Sequence, residues 1–145
     1  MSKKPVLLIT RNMPHAVEAR ALAGYDARLN RDDIKFDADS LIAAADGADA
    51  LLLCNEALTR ETVARLPGSV KITALFTAGH DHVDLAAAKE RGMIVTNAPD
   101  ALTDAVADLT LLLLLGAARR AGCGDGGWGY FGVVERSADV PDVIT

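Results

Sequence analysis

Five short β-forming runs alternate with helix-like segments along most of this chain, and this alternation constrains the fold more than any other feature. The predicted strands are Val6–Thr10, Tyr25–Leu29, Ala50–Leu53, Ile72–Phe76 and Met93–Val95. The predicted helices are His15–Ala23, Asp39–Ala45, Thr59–Arg65, Asp84–Arg91 and a last one from Thr103 to Arg119 or Arg120. Strands and helices that alternate at this spacing predict an α/β fold, here a flavodoxin-like parallel five-stranded sheet with helices on both faces.

Helix ends are marked by capping residues. Asp39 or Ser40 is expected to cap the second helix, Thr59 the third and Asp84 the fourth. Gly47 and Gly92 are expected to close the second and fourth helices.

Composition narrows the class of protein. Of the 145 residues 50% are hydrophobic but only 4% are aromatic, which favours an α/β protein over an aromatic-rich barrel. A net charge of −5 and the lack of a basic run argue against nucleic acid as a partner. The longest apolar run, Leu111–Ala118, is too short to span a bilayer, so no membrane partner is expected. The two cysteines, Cys54 and Cys123, form no disulfide framework and predict a reducing, cytoplasmic location.

Ligands of parallel sheets bind beyond the carboxyl ends of the strands, so the loops after Thr10, Leu53 and Phe76 are the expected functional edge. The third loop, Thr77–Asp84, has small residues around Gly79, which let a ligand approach the backbone. Consecutive N–H groups in such a turn form an anion site. A plain strand-to-helix turn capped by Asp84 explains the same residues.

Two other groups in these loops invite a chemical interpretation. His80-Asp81-His82 suggests a metal, but no third His or Cys stands at ligand spacing, so no metal site is predicted. Cys54 has no identifiable base and is interpreted as a small buried hydrophobe. Asn55 is a candidate substrate contact, or else a turn residue before the next helix.

A second motif, Asn97–Asp108, follows Thr77–Asp84 and leads into the last helix. Together the two motifs resemble the substrate-binding domain of the D-isomer-specific 2-hydroxyacid dehydrogenases, a family of oxidoreductases, and the resemblance covers residues 5 to about 120. It implies hydride transfer between NAD or NADP and a small 2-hydroxy or 2-oxo acid. It also implies that the amides of Ala78 and Gly79 hold the substrate carboxylate, with Asn55 in the loop that lines the pocket.

The resemblance makes the last helix a crossing helix between two domains, with Thr103 beside the cofactor or serving simply as the N-cap. Residues 109–118 are apolar on every side, and a long apolar helix of this kind is expected to be buried all round. A large apolar patch predicts a homodimer through residues 103–120. The expected organisation is therefore a substrate-binding domain over residues 1–102, an interdomain and dimerisation helix over 103–120, and an irregular tail over 121–145 that does not match the family.

The tail carries a G-x-G-x-x-G match at residues 122–127, but a helix precedes it and too few residues follow for a dinucleotide-binding unit. The family's catalytic Arg, Glu and His have no counterpart in this chain. We therefore expect a truncated member that alone binds no cofactor and is inactive. The alternative is a non-catalytic carboxylate-binding or interaction module. A receiver-type signalling domain is disfavoured, because Arg11 and Cys54-Asn55 stand where its acidic cluster is required.

Overall fold

A computed structural model describes residues 3–119, which fall into two compact units. The first unit ends at Ala101 and the second begins at Leu102. The elements are β1 (Val6–Ile9), α1 (His15–Gly24), β2 (Asp26–Leu29), α2 (Ala38–Ala44), β3 (Ala50–Leu53), α3 (Arg60–Arg65), β4 (Ile72–Leu75), α4 (Leu85–Glu90), β5 (Ile94–Thr96) and α5 (Thr103–Ala118). Arg120, the predicted tail and its glycine-rich segment lie outside the described residues.

The first unit is a parallel five-stranded sheet in the order β2-β1-β3-β4-β5. The predicted sheet, with its strand number, direction and order, is confirmed. In this order β1 and β3 are neighbours. β2 lies at the edge beyond β1, and β4 and β5 follow on the other side of β3.

Side chains that alternate along the strands build a core on each face of the sheet. Leu8, Leu51, Leu53 and Leu75 belong to the larger core cluster, which also takes in buried residues of α2, α3 and α4. Ile9 belongs to the smaller cluster, where residues of α1 pack against the sheet. Helices therefore cover both faces, with α1 on one and α2 to α4 on the other.

Capping side chains set the helix starts. Thr59 accepts a hydrogen bond from the N–H of Thr62, and Asp84 accepts one from the N–H of Ala87, so both predicted caps are confirmed. The predicted cap of α2 is wrong. Asp37 is the N-cap and forms a reciprocal capping box with Ser40, so the helix begins at Ala38, one residue earlier than predicted.

Two glycines after helices adopt backbone angles that other residues avoid. Gly47 has φ +67° after α2, and Gly92 has φ +71° after α4. Gly92 directly follows Arg91, the C-cap of α4, and closes that helix as predicted, because glycine takes the left-handed region without a Cβ penalty. Gly47 lies two residues beyond Ala45, the C-cap of α2, so it ends the turn after that helix and not the helix itself.

The last helix requires a correction, because the prediction of a long apolar crossing helix is wrong. α5 has 16 residues, or about 24 Å at 1.5 Å per residue, against roughly 30 Å for a hydrocarbon core. Within residues 3–119 no helix is long and apolar enough to cross a membrane.

Two further expectations for α5 also fail. None of its residues is buried, although an all-apolar helix was expected to be buried all round. Its N-cap is Leu102, which makes no side-chain cap hydrogen bond, so the interpretation of Thr103 as the N-cap is wrong.

Candidate functional site

The carboxyl ends of β3 and β4 carry two loops that are joined to each other. The N–H of Leu58 donates to the carbonyl of His82 at 2.9 Å, and the N–H of Asp84 donates to the carbonyl of Leu58 at 2.8 Å. These bonds form a short parallel bridge between Leu58 and Val83. The loop after Leu53 and the loop after Phe76 are therefore held as one surface at the predicted edge of the sheet.

Thr77, Ala78 and Gly79 form a turn, here called the carboxylate turn, whose three carbonyl groups all accept hydrogen bonds from within the unit. The carbonyl of Thr77 accepts from the backbone N–H of Ala98 at 3.0 Å. The carbonyl of Ala78 accepts from Asn97 Nδ2 at 2.6 Å, and that of Gly79 accepts from Thr77 Oγ1 at 2.7 Å. The acceptors of this turn are thus occupied by the protein itself.

The N–H groups of the carboxylate turn differ from its carbonyls in having no partner within the described chain. No acceptor in residues 3–119 takes a hydrogen bond from the backbone N–H of Ala78 or Gly79. Ala78 is half-buried and Gly79 is exposed. Adjacent backbone N–H groups without an internal acceptor suit an anion as ligand.

Gly79 is not needed for the conformation of the carboxylate turn. Its φ lies outside the left-handed region, and a Cβ built there would come no closer than 3.6 Å to Asp81 Oδ2. Because glycine has no side chain, the backbone of Gly79 is exposed to solvent.

The β3 loop carries an exposed Asn55 beside a buried carboxylate. Glu56 is 1% exposed, and its Oε2 accepts from the N–H of Cys54 at 3.0 Å. Its Oε1 has no hydrogen-bond partner in the described part of the chain. Asn55 and Glu56 line a cavity of about 330 Å³, and neither Ala78 nor Gly79 is among its lining residues. Asn55 and the carboxylate turn thus share one edge of the sheet but not this cavity.

An ion pair stands at the end of β1. Arg11 donates from Nε and Nη2 to the two carboxylate oxygens of Asp33, each at 2.9 Å. The hydrogen bond to Asp33 is the main cause that raises the pKa of Arg11, and the negative charge of Glu56 acts in the same direction. The bidentate geometry fixes the guanidinium at the same edge of the sheet as the two loops.

Comparison with known proteins identifies the family of this chain. Residues 7–139 match the family model of the D-isomer specific 2-hydroxyacid dehydrogenase, catalytic domain. The chain belongs to this family. The match extends past residue 120 and takes in residues 121–139 of the predicted tail.

Individual 2-hydroxyacid dehydrogenases show the extent of the likeness. Glycerate dehydrogenase of Hyphomicrobium methylovorum is 45% identical over 126 residues, which are 86% of this chain and 39% of that enzyme. Glyoxylate reductase of Pyrococcus horikoshii is 33% identical over 123 residues, or 84% of this chain and 36% of the enzyme. An NADPH-dependent glyoxylate/hydroxypyruvate reductase of Sinorhizobium meliloti, solved with NADP and malonate, has a TM-score of 0.64 at 28% identity, covering 79% of this chain and 34% of its own. The chain spans less than half the length of each.

The dehydrogenase family implies a dinucleotide, but the first unit does not fit one. A dinucleotide needs a glycine-rich turn between a strand and the following helix. Gly79 is the one glycine in a strand-to-helix loop of residues 3–101. Gly24 is the last residue of α1, and Gly47, Gly68 and Gly92 follow helices. Thr103, the candidate cofactor contact, belongs to the second unit.

Cys54 directly follows β3 and packs against the smaller core cluster. Burial raises the pKa of the Cys54 thiol, and the charge of Glu56 acts in the same direction while Arg11 opposes it. The thiolate is the nucleophilic form, so Cys54 is a weak nucleophile at neutral pH. Nowhere in residues 3–119 do three His, Cys, Asp or Glu side chains converge as metal ligands.

The Arg11–Asp33 pair is expected to make the stability of the first unit depend on pH. The N–H of Asn12 and then the guanidinium of Arg11 hold the pKa of Asp33 below its ordinary value. A lowered folded-state pKa contributes stability above the unfolded value of about 4, and this contribution is lost as the pH falls through the folded value. Asp33→Asn is expected to remove this dependence. Asn is the matched substitution because Asp33 has φ 52° and Asn tolerates that region.

Urea unfolding from pH 6 to pH 2 measures the difference. The free energy of unfolding of the wild type should fall more steeply below pH 4 than that of D33N. Parallel curves would show that Asp33 has an ordinary pKa in the folded protein.

Proposed function

We propose that the first unit binds the carboxylate of a small 2-hydroxy or 2-oxo acid at the backbone N–H groups of Ala78 and Gly79. The supporting observation is the asymmetry of the carboxylate turn, whose three carbonyls are all engaged while these two N–H groups have no acceptor among residues 3–119. A carboxylate has two oxygens and can accept both donors at once. Hydrogen bonds to an ionised acceptor are about twice as strong as neutral ones.

The reaction proposed for the whole protein is that of an NAD(P)-dependent D-2-hydroxyacid dehydrogenase. When bound, the nicotinamide would supply or accept the hydride. This unit's own contribution is to hold the acid by its carboxylate and so present its C2 carbon in a fixed position. Thr103 is the candidate contact of the cofactor in the second unit, and family membership is what supports that role.

The names of the relatives suggest the size of the acid. They are a glycerate dehydrogenase, glyoxylate reductases and a glyoxylate/hydroxypyruvate reductase, which points to acids of two or three carbons. Asn55, exposed on the neighbouring loop, is the candidate contact for the rest of such a substrate. Its amide can both donate to and accept from a hydroxyl group.

The test uses malonate, the ligand in the Sinorhizobium meliloti structure, as the probe. We expect malonate to shift the backbone N–H signals of Ala78 and Gly79 in a ¹⁵N NMR titration, with saturation. Two charge-assisted hydrogen bonds of about 2 kcal/mol each give a Kd on the order of 1 to 10 mM. Malonamide, which has the same shape without charge, is the control and should not saturate. Absence of saturable shifts at both residues with malonate would refute the carboxylate site.

A non-catalytic carboxylate-binding module is the second candidate. The observation in its favour is that the carboxylate turn is built wholly from residues 77–98, within one compact unit. NADH oxidation with glyoxylate separates the two candidates. A rate above the protein-free control supports the dehydrogenase, whereas malonate binding without turnover supports the module.

A homodimer through residues 103–120 is also proposed. What supports it is the row of large exposed side chains on α5, where Val106, Leu109 and Leu113 are 56%, 49% and 48% exposed. Their spacing of three and then four residues places them on one side of a helix, as in helix–helix interfaces. Apolar surface of this extent on a helix marks an interaction site.

A further inference from the structure

The segment that follows β5 donates hydrogen bonds to the two peptide groups that carry the N–H donors of the carboxylate turn. β4 and β5 pair in parallel, with Ala74 opposite Thr96. The chain leaves β5 directly into Asn97 and Ala98, which therefore arrive beside the loop that leaves β4. Asn97 Nδ2 then donates to the carbonyl of Ala78 at 2.6 Å, and the N–H of Ala98 donates to the carbonyl of Thr77 at 3.0 Å.

Each of these contacts fixes one of the N–H groups proposed to bind the carboxylate. In a planar trans peptide the carbonyl of one residue and the N–H of the next belong to the same rigid group and point in opposite directions. The carbonyl of Ala78 shares its peptide with the N–H of Gly79. A hydrogen bond from Asn97 to that carbonyl therefore sets the direction of the Gly79 N–H. The same argument connects the Ala98 contact with the N–H of Ala78.

We infer that Asn97 is a positioning residue for the carboxylate turn, an inference that rests on the proposed function. Its side chain holds the plane of the peptide between Ala78 and Gly79 and points the N–H of Gly79 toward the ligand. A hydrogen bond to the carbonyl also polarises the peptide and makes its N–H a stronger donor. The backbone of Ala98 does the same for the other peptide.

Asn97 has the chemistry that this position needs. Its amide supplies a donor without a charge. An aspartate of the same shape would have no donor when ionised and would place a negative charge beside a site for an anion. The proline at position 99 restricts Ala98 to extended backbone, which limits the directions open to the N–H of Ala98.

The experiment compares malonate binding by the full chain and three variants, followed by the ¹⁵N signals of Ala78 and Gly79. Asn97→Ala is expected to weaken binding about fivefold, the effect of losing one ordinary hydrogen bond. Asn97→Asp is expected to weaken binding more than N97A does. Without ligand, both variants should also shift the Gly79 N–H signal.

Asn30→Ala is the matched control. Asn30 Nδ2 also donates to backbone carbonyls, those of Thr10 at 2.8 Å and Ile34 at 2.7 Å, at another loop of the unit. N30A should bind malonate within about twofold of the wild type, even where its melting temperature falls as much as that of N97A. A general loss of stability would move the control and the test variant together.

The outcomes separate this inference from the proposed function. If the wild type and N97A bind malonate equally, Asn97 has no positioning role and the carboxylate site stands. If the wild type does not bind malonate at the turn, the site and the role of Asn97 are both refuted. Should N97D not fold, N97A decides alone, because Asn97 is exposed and its truncation leaves no buried cavity.

Discussion

Replacing Leu51 with alanine is expected to lower the free energy of unfolding by about 3 kcal/mol, the usual cost of a Leu-to-Ala change in a close-packed core. Leu51 is fully buried and lies in β3, next to β1 at the centre of the sheet. Its side chain belongs to the larger core cluster with Leu8 on one neighbouring strand and Leu75 on the other. The alanine would leave a cavity that rigid strands on both sides cannot close.

Urea unfolding measures this change, with Leu22→Ala as the control. Leu22 is the same residue type but is 48% exposed on α1. L22A should change the free energy of unfolding by no more than about 0.5 kcal/mol. Because native domains are stable by only about 5 to 15 kcal/mol, the L51A midpoint should fall visibly. Equal midpoints for the two variants would mean that β3 is not the centre of the core.

The sheet could be predicted because its signals are local. Ala50–Leu53 is a continuous apolar run, and the structure returns the same bounds for β3. Thr59 and Asp84 cap helices with their own side chains within three residues, so their sequence positions were sufficient. The start of α2 was misplaced because Asp37, Asp39 and Ser40 all suit a cap, and only the reciprocal bonds between Asp37 and Ser40 decide among them.

The helix α5 shows where a local pattern misleads. A run of leucines predicted burial on every side, yet the structure leaves α5 with no buried residue. The apolar composition of a helix indicates how much of its surface must be buried. It does not indicate what buries that surface, because burial depends on other units or other chains.

The candidate site was predictable only in part, for the same reason. Ala78 and Gly79 lie in one short motif, and the anion-binding character of their N–H groups follows from the turn itself. The contact of Asn97 with Ala78 spans 19 residues and exists only because β4 and β5 pair. The Arg11–Asp33 pair spans 22 residues and was missed likewise. The burial of Glu56, next to Asn55, has no signal in the sequence around it.

Introducing a charge at Leu109 is expected to convert the proposed homodimer into a monomer. Leu109 lies between Val106 and Leu113 in the row of apolar side chains on α5. At 100° per residue, Asp104 and Asp108 lie outside this row, toward the other side of the helix. The row is thus the side that a partner copy can cover without burying a carboxylate.

Leu109→Glu would place an unpaired negative charge at the centre of that contact. A buried charge without a partner costs about 2 to 5 kcal/mol, so the dissociation constant of the dimer should rise on the order of a hundredfold. Leu111→Glu is the matched control, because Leu111 is 58% exposed and lies about 160° around the helix from Leu109. The control introduces the same charge on the same helix outside the proposed contact.

Light scattering over a range of protein concentrations gives the molar masses. The wild type and L111E should have twice the mass of one chain at concentrations where L109E has the mass of a single chain. A wild type that is monomeric at every concentration would refute the dimer. A dimer that survives L109E but dissociates in L111E would place the contact on the opposite side of α5, the side that carries Asp104 and Asp108. The pair of variants therefore decides both whether α5 is covered by a second copy and which side of the helix that copy covers.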